Sequence, residues 1–243
     1  MDAYAPTSRT VSFLWDRVRY ELLDRRASIL AELDTQKLLQ GFNATHDSLT
    51  IQLRDRRTVD VSLKSVSVHE HIRAEIASVS SSEVAELIGH LLGAVRAIPQ
   101  ASFQHLVGWP EDIDSTQAYA QGATAIVNDA SELGVSDFAL LIDGAASDVW
   151  IYQAEVGIIN REEAPDRVTR VTGRSPAPRP ASQPDLEDVT FPQVATFVDS
   201  FWQCTLQKPI PLADASDLVT TVTPEACRLV EALHARLRGT QLK

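Results

Sequence analysis

Cysteine is scarce in this chain: Cys204 and Cys227 are the only two among 243 residues. Two thiols in a chain of this length do not make a disulfide framework, so both are expected to be reduced, in a reducing compartment. Long apolar runs are also missing. The greasiest stretch, residues 84–98, is broken by Glu86, His90 and Arg96 and is too short to cross a bilayer. Gly89 and Gly93 within it read as close packing of a soluble helix. The opening residues, Met1-Asp2-Ala3-Tyr4-Ala5-Pro6, carry neither the basic nor the apolar region of a secretory leader. The expected location is therefore cytoplasmic, with no membrane contact. Lysine is rare too (Lys37, Lys64, Lys208, Lys243), against many arginines and alanines, a bias that points to a high-GC bacterial source.

Familiar catalytic signatures are absent. The chain has no Gly-x-x-x-x-Gly-Lys phosphate loop, no Gly-x-Gly-x-x-Gly fingerprint and no Gly-x-Ser-x-Gly elbow. No cofactor is implied, and the motifs carry no family resemblance.

Positive charge is nearly absent from one block. Residues 101–172 hold three basic side chains (Arg161, Arg167, Arg170) against twelve acidic ones, a net of −9 out of −11 for the whole chain. A field of one sign repels phosphate backbones and anionic lipid heads and attracts cations or basic protein surfaces. Arg54, Arg56 and Arg57 cluster at a turn, but no aromatic accompanies them, so a solvated turn is expected there and nucleic-acid binding is not.

What is present describes an ordinary globular chain, 44% apolar and 23% charged, so wholesale disorder is not expected. Leu14, Val18, Leu22, Ile29 and Leu33 recur at helical spacing and predict an amphipathic N-terminal helix ending near Gly41. Leu49, Ile51 and Leu53 alternate with polar residues, as do Val59, Val61 and Leu63 after a short turn, and predict a hairpin with one buried face. Residues 67–98 read as helical in two pieces, with a Ser80–Glu83 capping box and Pro99 as the stop. A short strand is expected over 103–109, running into a turn at Gly108-Trp109-Pro110, then a helix over 115–133. The continuous apolar runs 138–142, 149–152 and 156–159 suggest central strands covered on both faces, and a short helix is expected from about Pro165. Four prolines make 173–188 an exposed connector. Phe191, Val194, Val198, Phe201 and Trp202 share one helical face, and Thr223-Pro224 reads as the start of a last helix.

The fold expected is α+β: an amphipathic N-terminal helix, a hairpin, a small mixed sheet packed with helices, and two C-terminal helices, with an α/β parallel sheet as the alternative. The divisions are 1–100, an acidic part 101–172 belonging to the same globular unit, the connector 173–188, and 189–243.

Two constellations offer chemistry. His69-Glu70-His71 with Glu75 contains metal-ligating types, but no single conformation presents all of them, and a solvated polar turn is preferred. Asp143, followed by Gly144 and with Asp148 close by, resembles a strand-end carboxylate pair, though turn chemistry explains it as well. Cys227 sits near an expected helix start and Cys204 on an aromatic segment; both are expected to be inert. The preferred function is a bacterial cytoplasmic protein-interaction module (adaptor, chaperone-like or immunity-type). It would dock a basic partner through Glu111, Asp112 and Asp114, with Phe197, Phe201 and Trp202 as apolar anchors. The alternative is a metal-assisted hydrolase using Asp143 and Asp148. Self-association is compatible with either.

Overall fold

The computed structural model describes residues 7–70, 98–111, 138–169, 190–210 and 212–239, apart from residues 16, 19 and 56. In chain order its elements are β1 (Thr7–Leu14), α1 (Glu21–Asp24), α2 (Arg26–Thr35), β2 (Leu39–Ala44), β3 (Ser48–Leu53), β4 (Thr58–Ser62), β5 (Ser65–Glu70), β6 (Ile98–Glu111), β7 (Phe138–Ala145), β8 (Trp150–Asn160), α3 (Ala164–Thr169), β9 (Val194–Ile210) and α4 (Leu212–Gly239). The strands form one nine-stranded sheet in the order β2-β3-β4-β5-β1-β6-β9-β8-β7. Every ladder is antiparallel.

This architecture overturns both the α+β expectation and its α/β alternative. Half of the described residues are in strands and under a third in helices. The amphipathic N-terminal helix is not formed: Leu14 ends a strand, and only the short α1 and α2 follow, α2 burying Ile29 and Leu33. The stop is not Gly41 either. Lys37 adopts a left-handed conformation at φ 59, with Leu38 N–H bonded to Leu33 C=O and Lys37 N–H to Asp34 C=O, both at 2.9 Å. That closes α2 as a Schellman turn without glycine.

The predicted hairpin forms as β3–β4, with Leu49 opposite Val61 and Ile51 opposite Val59. Its neighbours extend the same register. Val11, Val68, Val59 and Ile51 make one cross-strand row, and Phe13, Val66, Val61 and Leu49 the next. These rows pack with Leu23 of α1, Ile29 and Leu33 of α2 and Val219, Val222 and Ala226 of α4. The other face of this half was expected to be solvated. It is buried instead, and its polar groups satisfy one another, as low-dielectric surroundings require. Ser12 and Ser67 hydroxyls are 2.8 Å apart, and Thr50 Oγ1 donates to Asp60 at 2.6 Å.

The first residues of the stretch expected to be helical, 67–70, belong to strand β5, and Ile98 and Pro99 open strand β6. The remainder of that stretch, including the capping box, lies outside the described residues, as do the helix expected over 115–133 and the connector 173–188. β6 also absorbs the turn expected at Gly108-Trp109-Pro110. It tolerates its prolines because Pro99 sits at the register shift between Ile98 and Gln100 and Pro110 lies one residue from the strand end.

One long helix replaces the expected pair at the C-terminus. The segment holding Phe197, Phe201 and Trp202 is strand β9, and Thr223 and Pro224 fall inside α4. The Thr223 hydroxyl donates back to Val219 C=O at 2.7 Å. The short helix expected near Pro165 is α3, which packs Ala164 and Val168 against Ile159, Ala195 and Phe197.

Among the described residues no helix is long and apolar enough to cross a membrane.

Candidate functional site

Within the acidic block, the described residues after Glu111 form the β7–β8 hairpin and α3. Phe138 faces Ile158 and the register runs without a break to Ala145 opposite Ile151. The turn is closed by Ala146 N–H on Trp150 C=O at 3.0 Å, and Ser147 Oγ accepts from the Val149 and Trp150 amides at 3.2 Å each. Turn chemistry therefore belongs to Ser147, and β7 continues two residues past Asp143. That removes the strand-end position on which the carboxylate reading of Asp143 rested. Asp143 is exposed in mid-edge, and its Oδ1 accepts from Gln153 Nε2 at 2.7 Å; Asp148 is exposed in the turn.

Among the described strands, β7 is the last of the sheet. Its continuous apolar run predicted a strand covered on both faces, and the structure differs. Leu140 and Leu141, pointing to opposite faces, are 50% and 51% exposed, and Val149 and Ile151 of the same hairpin are exposed too. Glu162, Glu163 and Asp166 follow on the surface after β8. Glu155 is partly withdrawn from the acidic field: Arg167 of α3 holds both its carboxylate oxygens at 2.7 Å and lies 4.4 Å over the Phe197 ring.

The aromatic anchors are not on the surface. Phe197 is 1%, Phe201 6% and Trp202 1% exposed, all within β9. The helical spacing that suggested an outward face arose from a strand whose two faces are both covered. Glu111 closes β6; Asp112 and Asp114 lie outside the described residues.

The other sequence candidates resolve as core. His69 is buried on β5, with Nδ1 3.0 Å from Thr10 Oγ1 and Nε2 3.3 Å from Asp60 Oδ2. Glu70 points to the other face, 3.2 Å from Arg9 Nε and 3.9 Å from Arg57 Nη1. Alternation along β5 thus separates two members of the sequence cluster, while His71 and Glu75 lie outside the described residues. Among the described residues no three His, Cys, Asp or Glu side chains are grouped to hold a metal. Arg57, expected in a solvated turn, is buried and paired with Asp55. Cys204 lies buried on a strand, not a helix, and burial pushes its thiol up from the ordinary value of 9.0. Cys227 is half-buried inside α4, away from the helix start.

No protein-family model matches this chain, and no curated protein sequence matches it.

Proposed function

We propose that this chain is a bacterial cytoplasmic protein-interaction module, of adaptor, chaperone-like or immunity type, that docks a basic partner surface through its acidic block. The observation that carries the reading is the composition of one hairpin. The exposed carboxylates Asp143 and Asp148 stand beside the exposed apolar side chains Leu140, Leu141, Val149 and Ile151. Acidic side chains steer a basic partner, while apolar contacts that lose water on docking supply affinity. Since Phe197, Phe201 and Trp202 belong to the core, the hairpin takes over the apolar role assigned to them by the sequence.

Association kinetics test the reading. Binding to a basic protein surface should slow steadily as ionic strength rises toward about 1 M, where the screening length shrinks to about 3 Å. Asp143→Asn and Asp148→Asn should each slow it modestly, because the charges act together. A salt-independent association rate would overturn the proposal. So would a large thermal stabilisation by Mg²⁺ or Mn²⁺ that disappears in Asp143→Asn, which is the signature of a metal site.

A further inference from the structure

Building on the docking reading above, we propose that β7 is an acceptor edge: it binds an extended partner segment that alternates basic and apolar residues, which pairs with β7 as a tenth strand. Four observations lead there.

The first is hydrogen-bond parity. Ala146 N–H bonds Trp150 C=O across the turn, and the register continues from Ala145–Ile151 in single steps. In an antiparallel ladder, bonded pairs alternate with non-bonded ones. Even-numbered residues of β7 therefore bond to β8, and the backbone N–H and C=O of Ala139, Leu141 and Ala145 point away from it, toward a side where no described strand follows. The second is the symmetry of exposure. Leu140 and Leu141 lie on opposite faces and are exposed to the same degree. A face-on partner would cover one of them; a strand laid alongside covers both.

The third is that β7's own residues and ladder carry little of the usual edge protection. Sheet edges are normally blunted by proline, lysine, bulges or covering groups. β7 contains no proline or lysine, and its ladder has no bulge. The opposite edge, β2, has a register shift between Leu39 and Gly41. Arg54 also sits on the carbonyl of the strand's first residue, Leu39, and Arg26 on that of Thr45, one residue past the strand end. The two outer described strands thus differ: β2 is broken by a register shift, whereas β7 runs without one. The fourth is charge. On β7, Leu141 and Asp143 share one face while Leu140 and Ile142 share the other, so an added strand meets an acidic face and an apolar one. Alternation of lysine or arginine with an aliphatic residue complements both. A second copy of the chain fits poorly, because each copy carries net charge −11.

The probe is an acetylated, amidated octapeptide alternating valine and lysine, matched to the eight residues of β7, with amide hydrogen exchange of the full chain as readout. On saturation, the amides of Ala139, Leu141 and Ala145 should exchange at least about tenfold more slowly, while those of Leu140, Ile142 and Gly144 change little. Leu141→Pro removes one outward N–H without altering charge, at an edge position that accepts proline; it should weaken the peptide by about tenfold or more. Ala139→Pro serves the same purpose should Leu141→Pro not fold. Salt-sensitive binding that neither protects these amides nor responds to proline would overturn strand addition and leave the docking reading standing. No binding at any salt would overturn both. Protection of the same three amides without peptide, rising with protein concentration, would assign the edge to a second copy and overturn the proposal.

Discussion

Gly144 stands opposite Tyr152 in the β7–β8 ladder, and the phenol ring lies across its α-carbon. A methyl group there would fall within 2.7 Å of Tyr152 Cε1 and closer still to Cζ. Tyr152 cannot simply swing away, because its ring centroid is 4.9 Å from that of Trp202 in the core. Gly144→Ala should cost about 1–3 kcal/mol, the usual penalty for overpacking, with a change in tryptophan emission; urea unfolding checks it. Cys204 carries a pH dependence. Burial holds its thiol above 9.0, so the folded chain retains a proton that the unfolded chain releases. The stabilising contribution is complete below pH 9.0 and shrinks as pH rises from there toward the folded value. Cys204→Ala should flatten this alkaline loss in urea titrations, and in the native protein Cys227 should react with thiol reagents first. At this scale the sequence was legible where chemistry is intrinsic, as with two free thiols. It was illegible where partners come from afar: nothing near Arg57 announces that Glu70 will help to bury it.

The elements divide along the same line. β3 and β4 were readable because a half-apolar alternation and a short turn are local signals. β9 was not. Phe197, Val198, Phe201 and Trp202 are all buried, on both faces of one strand, and a doubly covered strand loses its period of two. Their spacing then imitates a helix. β7 shows the converse, since its unbroken apolar run is the pattern of a central strand placed at an edge. α4 hid its true start because Thr223-Pro224 has the chemistry of a helix beginning, yet lies in the middle of 28 helical residues. Pro224 removes an N–H from the helix interior, and the Thr223 hydroxyl donates to Val219 C=O, one residue before the carbonyl that N–H would have reached. Pro224→Ala should therefore raise stability, by up to about 3 kcal/mol, read as a higher urea midpoint with an unchanged slope. A lower midpoint would mean that the sheet depends on the shape proline gives to α4.

Across the whole molecule, local signals could not reveal the strand order. Pairing β1 with both β5 and β6, and inserting β9 between β6 and β8, are choices made by burial over long sequence separations. The acidic character of residues 101–172 was visible from composition, but the placing of Asp143 and Asp148 on an outer hairpin required the sheet. The position of β1 has a further result, which concerns time. Although β1 is the first described strand, it sits in the middle of the sheet, and among the described strands it is the one hydrogen-bonded link between β2–β5 and β6–β9. During synthesis it can dock on β5 once residue 70 is made, but its other flank waits for β6, whose pairing with β1 extends to Val107. At roughly 5–20 residues per second that wait lasts about 2–7 s. During that interval a nascent chain presents β1 with one flank still unpaired in the sheet, a template on which β6 adds once it is made.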